Sequence, residues 1–438
     1  MGSQVSSSSS SVKTAAACAA AAFLLSRLRR KKFRGAKRRV GSSSTSVLNR
    51  GFSASSSSSL SAFSKKLGVH VKRAGSMSVT VSVPATSANL GSGYDCVGLA
   101  LDLWNEVTVS LADEFSMTAE GWGADELPLD KTNLVVVALE LAFKAAGKKV
   151  PPLCYHLTQR IPHARGLGSS SAAIVGGLVA GLVLSGHELE VTGKEELLQL
   201  ACDIEGHPDN VAPCMYGGVQ LGLYDHAENR WTTERVKLHD GFMFIMFVPD
   251  FTGITEELRR VVPKQVPLHD AVFNMGRLAW MMNAFSTGRA DMLRIGMQDR
   301  IHQPQRGKAV YHHLEPMIEA AYAAGAHGAY LSGAGPTVMT VISGVSAEFF
   351  TQKKGAKNAA AKVAAALLRV AKENDIKGRV FVAKPALTGA YIKFAEPPFS
   401  DDLVSYAHTE RSPDSPATPG GPKRRSPSID DAETQETF

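Results

Sequence analysis

The sequence predicts an α+β protein of two fused domains, flanked on both sides by segments of different composition. Three observations lead there. Ser78 to Phe394 holds 317 residues of steady apolar content, more than one domain usually contains. Within that span strand and helix patterns come in groups, without the strict alternation of a parallel α/β sheet. At its centre a glycine and serine turn, Gly166-Leu167-Gly168-Ser169-Ser170-Ser171, joins an alternating strand pattern to an all-apolar helix pattern.

The flanks are set apart by charge. Residues 1–76 contain no Asp or Glu, and the first acidic residue is Asp95. They carry the runs Ser6 to Ser11 and Ser55 to Ser59 and the basic cluster Arg27 to Arg39. Serine- and arginine-rich, acid-poor starts read as organelle transit peptides. Ala15 to Leu25 is too short to span a bilayer but suits the core of a secretory signal, so a simple transit peptide and a two-part leader both stand. The whole chain has a net charge of +7, but 15 of its 48 Lys and Arg lie in this leader. The remaining 33 face 41 acids, a net charge of −8, which argues against a nucleic-acid partner. From Glu396 onward, Ser-Pro and Thr-Pro steps with few large apolar residues predict a disordered tail.

Along the body, Ser78 to Val83 and Trp104 to Ser110 read as strands, and Asn133 to Ala146 as a helix capped by its asparagine. Leu153 to Gln159 is the strand before the glycine turn, and Ala172 to Leu184 the buried helix after it. Lys194 to Glu205 and Asn210 to Met215 read as helices, and Gly217 to Tyr224 and Phe242 to Val248 as strands. Helices follow near Thr255 to Val262 and Leu268 to Thr287, then strands Gly328 to Leu331 and Thr337 to Ile342. An alanine-rich helix near Ala347 to Glu373 and a last strand, Arg379 to Lys384, complete the pattern. Cys96, Cys154, Cys202 and Cys214 form no C-x-x-C pair, so neither a zinc site nor a disulfide framework is expected. No apolar stretch of the body reaches membrane-spanning length.

The glycine turn has the makings of a phosphate site. Glycines permit close backbone approach, and the unpaired N–H groups of a first helical turn attract an anion. It lacks the Gly-Lys-Ser/Thr ending of a P-loop and the spacing of a dinucleotide fingerprint. Four other stretches keep it company. Pro84-Ala85-Thr86-Ser87-Ala88-Asn89 runs on to Asp95, placing an amide and a carboxylate on a loop. Glu205-Gly206-His207-Pro208-Asp209-Asn210 packs two carboxylates, an imidazole and an amide into six residues, more than a helix cap needs. Ser332-Gly333-Ala334-Gly335-Pro336-Thr337 is a glycine turn between strands, and Arg259 and Arg306 are two guanidinium forks suited to a carboxylate.

Taken together, the three glycine- and serine-rich stretches, in this order, resemble the three motifs of the GHMP kinases. Asn89 with Asp95, His207-Pro208-Asp209-Asn210 and Gln298-Asp299-Arg300-Ile301-His302-Gln303-Pro304-Gln305-Arg306 make the chain similar to the homoserine kinase family within them. The resemblance covers about Ser78 to Lys393. It implies a ribosomal-protein-like α/β domain over residues 77–240 that binds ATP, a ferredoxin-like domain over residues 241–394, and a tail over residues 395–438. Pro162, His163, Ala164, Arg165, Gly166, Leu167, Gly168, Ser169, Ser170, Ser171 and Ala172 would wrap the ATP phosphates. Ser170 and Glu205 would hold Mg2+. Asn89, Asp95, His207, Arg259 and Arg306 would surround L-homoserine, with Asp209, Asn210 and Thr255 in the catalytic centre. Asp209 is expected to orient the hydroxyl, a base role being left open.

The implied reaction is ATP-dependent phosphorylation of L-homoserine in threonine biosynthesis, without nucleic acid, without membrane in the processed form, and with a homodimer left open. Plastid import is the first expectation for the leader and mitochondrial import the second. The competing readings are a GHMP kinase for mevalonate or a sugar, and a catalytically silent ATP sensor. Two departures stand out: Glu256 and Glu257 beside Arg259, and the proline-rich tail. A chain beginning at Ser78 is expected to fold and keep full activity, because an acid-free, serine-rich leader offers no core. Insolubility or loss of ATP turnover in that truncation would make the leader part of the folded body.

Overall fold

In the computed structural model, residues 78–186, 194–253, 255–343 and 352–396 are described. The expected leader and the tail beyond Glu396 lie outside the described residues. Strands β1 (Ser78–Ala88), β2 (Val97–Leu111) and β3 (Ser116–Gly121) precede helix α1 (Leu134–Ala145) and strand β4 (Leu153–Gln159). Helices α2 (Ser169–Ser185), α3 (Lys194–Glu205) and α4 (Pro208–Tyr216) lead to strands β5 (Val219–Asp225), β6 (Arg230–Val236) and β7 (Met243–Pro249). Then come α5 (Thr255–Arg260), α6 (Leu268–Thr287), α7 (Gln303–Ala309), α8 (Leu314–Ala323), β8 (Gly328–Leu331), β9 (Val338–Ile342), α9 (Gln352–Glu373), β10 (Gly378–Ala383) and β11 (Tyr391–Glu396).

The strands form two sheets. The first runs β11-β1-β2-β4-β3, with β5 joining β2 and β6 joining β5. The second runs β10-β7-β9-β8, all antiparallel, in the strand order of a ferredoxin-like domain. Alternation along β7 ties the two together. Phe244, Met246 and Val248 enter the core of the first domain, while Ile245 and Phe247 enter the core of the second. Burial on both faces explains why this strand reads as an unbroken apolar run.

The structure corrects the sequence reading at edges and ends. β1 continues through Pro84 to Ala88, because a register shift between Pro84 and Ala85 lets pairing with β2 resume beyond the residue that has no N–H to give. β3, β6 and β11 were not expected. Their residues are mostly polar or half exposed, and distant partners hold them. α8 hides behind Pro316, which sits in the first turn, where a proline is tolerated. β10 is not the last strand: β11 returns to the first sheet and pairs with β1 from Ser78↔Glu396 to Ser82↔Tyr391. The expected second domain therefore loses Tyr391 to Phe394, and the expected tail loses Ala395 and Glu396, to the first sheet.

Candidate functional site

A cavity of about 1190 Å³ runs between the sheets, and every motif singled out above reaches it or braces its wall. The glycine turn leads into α2 through Gly168, whose φ of 69° is left-handed. A Cβ on Gly168 would lie 1.9 Å from Thr86 Oγ1, and one on Gly166 2.4 Å from the Ser332 carbonyl. Protein neighbours thus demand both glycines before any ligand is considered. The turn's carbonyls are taken in succession. Gly253 N–H donates to Ala164 O (2.9 Å) and Thr86 N–H to Leu167 O (3.1 Å). Thr337 Oγ1 donates to Arg165 O (2.6 Å) and Ser332 Oγ to Gly166 O (2.6 Å). The first-turn N–H groups of α2 remain for an anion.

Not all of the expected phosphate residues face the cavity. His163, Ala164, Arg165, Gly166, Gly168, Ser169, Ser170 and Ala172 line it; Pro162, Leu167 and Ser171 do not. Ser171 is fully buried, and its Oγ has no hydrogen-bond partner among the described residues. The Arg165 guanidinium is committed elsewhere. It donates to the carbonyls of Pro249 (3.2 Å), His163 (2.7 Å) and Asp250 (2.7 Å) and makes a two-pronged contact with Glu126 at 3.3 Å. With its N–H groups spent on protein acceptors, Arg165 fixes the turn to the end of β7.

Two further pairs of the expected site residues meet. Ser170 Oγ donates to Glu205 Oε1 at 3.1 Å, bringing a hydroxyl and a carboxylate together at the mouth of the anion site. Hard oxygens at that place suit Mg2+. Pro208 opens α4, so His207 becomes its N-cap and Asp209 lies in its first turn. There the two side chains meet in a very short contact between His207 Nδ1 and Asp209 Oδ1. Asn210 links this pair to β1, donating to Asp209 Oδ1 (3.3 Å) and accepting from Thr86 Oγ1 (2.7 Å).

On the opposite wall, the loop from Asn89 to Asp95 is held in left-handed backbone at Asn89, Leu90 and Asp95, a concentration of strain typical of functional loops. The Asn89 amide is used to shape it, accepting from Asp95 N–H (2.9 Å) and donating to Gly333 O (2.9 Å). Asp95 makes a bidentate bond with Arg259 at 2.9 and 3.0 Å. Of the two expected forks, Arg259 is closed on Asp95, and Arg306 is bonded through Nε to Leu258 O (3.2 Å) and through Nη1 to Gly333 O (3.0 Å). Both guanidiniums flank the Tyr94 ring, at 6.0 and 5.6 Å. Glu256 pairs with Arg260, not Arg259. Thr255, at the start of α5, lines the cavity and is exposed to it.

Sequence reasoning missed Tyr94, which carries no motif signature. It also missed the far end of the cavity along α1, where Lys131, Asn133, Glu140 and Lys144 contribute. Glu140 and Lys144 are ordinary polar positions of a helix face, Lys131 and Asn133 belong to the turn that leads into it, and only the fold makes them a wall.

Electrostatics define the His207–Asp209 pair. Burial pulls the imidazole down, but the Asp209 carboxylate beside it prevails and pushes His207 up to about 9. Burial penalises the Asp209 carboxylate, yet the His207 charge and hydrogen bond hold it below the usual range. At neutral pH the two form an ion pair. Since the folded value of His207 lies above the ordinary one near 6.5, the pair's contribution is complete below that value and is lost as pH rises through about 9. Imidazole NMR of the metal-free protein should place the His207 titration near pH 9, and Asp209→Asn should bring it below 6.5. A wild-type ring titrating near 6.5 would show that the pair is not ionic.

The model of the GHMP kinase N-terminal domain matches residues 133–218, and that of the GHMP kinase C-terminal domain matches residues 281–369. The homoserine kinase of Desulfitobacterium hafniense is 43% identical over 274 residues, 63% of this chain and 90% of the relative. That of Synechocystis is 40% identical over 275 residues, 62% and 88% of the two chains. The crystal structure of homoserine kinase from Cytophaga hutchinsonii matches with a TM-score of 0.61 at 26% identity, covering 72% of this chain and 97% of that one. Mevalonate diphosphate decarboxylase from Enterococcus faecalis, at 16% identity and a TM-score of 0.51, shares the fold alone. With a relative this similar matched over nearly its whole length and both domain models in place, the chain belongs to the homoserine kinase family of the GHMP kinases.

Proposed function

We propose that this chain transfers the γ-phosphoryl group of ATP to the side-chain hydroxyl of L-homoserine. The observation that carries the reading is the continuity of one cavity from the α2 N-terminus, past Ser170 and Glu205, to Asp95, Arg259 and Arg306. A zwitterionic amino acid is complementary to the Asp95–Arg259 pair: its ammonium replaces Arg259 beside Asp95, and its carboxylate takes the freed guanidinium. Mevalonate and sugars have no ammonium to take the place of Arg259 beside Asp95.

In the reaction the hydroxyl oxygen forms a bond to the γ-phosphorus as the bond to the β,γ-bridging oxygen breaks. Positioning and charge neutralisation carry such transfers. Mg2+, when bound by Ser170 and Glu205, neutralises phosphate charge. Asp209 is a poor early base, because its pairing with His207 lowers its proton affinity, and His207 is already protonated at neutral pH. The pair orients the hydroxyl, whose proton passes late to an oxygen of the transferred phosphoryl group, once the attacking oxygen has become acidic through bonding to phosphorus. We place this activity in threonine biosynthesis and the chain in a plastid, on the acid-free leader. A fluorescent protein carrying residues 1–76 that stays in the cytosol would remove that assignment.

Measured with ATP, homoserine should be phosphorylated and mevalonate and galactose should not; turnover of either of the latter in preference to homoserine overturns the reading. Ser170→Ala and Glu205→Gln should each slow turnover at least about tenfold, roughly 1.4 kcal/mol, with melting unchanged. An unaltered rate at saturating Mg2+ in Glu205→Gln would take that residue out of the site. Arg259→Ala should weaken homoserine by about 1.5–3 kcal/mol in KM and its carboxamide far less. Arg259→Lys should recover only part of the loss, because it keeps the charge without the planar fork. Equal penalties on both substrates would mean that Arg259 does not meet the carboxylate.

A further inference from the structure

The segment Gln298 to Arg306 carries polar residues that the proposed reaction does not use, above all Asp299 and His302. Both side chains are fully buried. Asp299 accepts from the backbone N–H groups of Ile301 (2.9 Å), His302 (2.9 Å) and Gln303 (2.7 Å) and from Asn274 Nδ2 (2.7 Å), so it fixes the start of α7 against α6.

The His302 ring reaches in two directions. Nε2 lies 2.8 Å from Gly91 O, and Nδ1 lies 3.1 Å from Arg306 Nη1. Each neighbour fixes one nitrogen. A carbonyl only accepts, so Nε2 carries the hydrogen; a guanidinium only donates, so Nδ1 offers its lone pair. The Asp299 carboxylate, 3.5 Å from Nε2, favours the same tautomer. Burial, with Arg306 acting in the same direction, keeps the ring neutral against the pull of Asp299. A second proton would put an N–H against the guanidinium.

These contacts place one imidazole between the two halves of the proposed amino-acid pocket. Gly91 belongs to the loop that presents Asp95, and Ser92 Oγ ties the same loop to Gly296 O at 2.7 Å. Tyr94, flanked by both arginines, packs on the His302 ring at 5.2 Å. On the other side, the bonds of Arg306 to Leu258 O, Gly333 O and His302 use Nε and Nη1, which leaves Nη2 to the cavity that Arg306 lines.

We propose that His302 is a positioning residue for substrate recognition: through Gly91 on one nitrogen and Arg306 on the other, it fixes the spacing between the ammonium-binding loop and the second guanidinium. The inference rests on the homoserine reading and adds the element that makes the pocket select an α-amino acid. His302 touches neither phosphate nor the reacting oxygen. Its loss acts on the KM for homoserine and on discrimination at the carboxylate, and leaves ATP binding as it was.

The test compares the unmutated full chain with His302→Phe, His302→Asn and His302→Gln, using homoserine and its carboxamide. His302→Phe keeps the ring against Tyr94 and removes both hydrogen bonds. It should raise the KM for homoserine about tenfold and shrink the preference over the carboxamide by a similar factor, with the KM for ATP within about twofold. His302→Asn sets an amide oxygen near the place of Nδ1 and should restore most of the carboxylate preference. His302→Gln reaches Gly91 but offers Arg306 no acceptor at that place and should not. Parallel rises in both KM values, an unchanged substrate preference, or Asn and Gln variants that behave alike would overturn the proposal. If His302→Phe fails to melt cooperatively, the Asn and Gln pair decides alone. An unmutated chain that ignores homoserine defeats the functional reading and this inference together; one that phosphorylates it while the variants keep its substrate preference defeats the inference alone.

Discussion

The site depends on where the carbonyls of the glycine turn point. An anion held by backbone N–H groups is repelled by any carbonyl left beside it. Here four in a row, from Ala164 to Leu167, are bonded to Gly253, Thr337, Ser332 and Thr86. The donors come from the strand end of the first sheet, the loop after β7 and the turn between β8 and β9. Three distant stretches therefore set the polarity of one turn. Two of the four donors are the hydroxyls of Ser332 and Thr337, each of which gives one hydrogen bond and fills little space.

A second constraint acts on the substrate side. Asp95 and Arg259 are about one third exposed, so their mutual attraction is partly screened and open to exchange. The arrangement holds opposite charges at the spacing in which an amino acid presents its own. Arg306, buried and braced, cannot exchange in this way and gives the pocket a fixed edge.

Much of this was legible in the sequence. Strand Leu153–Gln159 and helices Lys194–Glu205 and Leu268–Thr287 have the boundaries that periodicity suggested, because each carries a complete apolar pattern of its own. The glycine-rich turn and the Pro-Asp-Asn helix start left local signatures, whereas Ser170 with Glu205 came only with the family resemblance and the contact of His207 with Asp209 came only with the structure. That the Arg165 guanidinium is spent on protein acceptors was not legible, since a buried structural arginine and a ligand-binding one look alike in a chain. The Asp95–Arg259 bond, Tyr94 and the His302 bridge depend on residues 164, 165, 212 and 211 positions apart, and no local pattern encodes such pairings.

The return of β11 to β1 has a consequence for how the chain is made. Ser78 pairs with Glu396, so the first and last described residues close a ring through the entire body. During synthesis β1 emerges early and finds β2, but its other flank stays an open edge until the second domain has been completed. Loop-closure entropy over that length is modest, growing only with the logarithm of the span. The delay is what matters: an unpaired edge is a template for wrong partners. The nascent first domain is thus exposed to association with neighbouring chains for nearly the whole of translation, and its last protection arrives with its final strand.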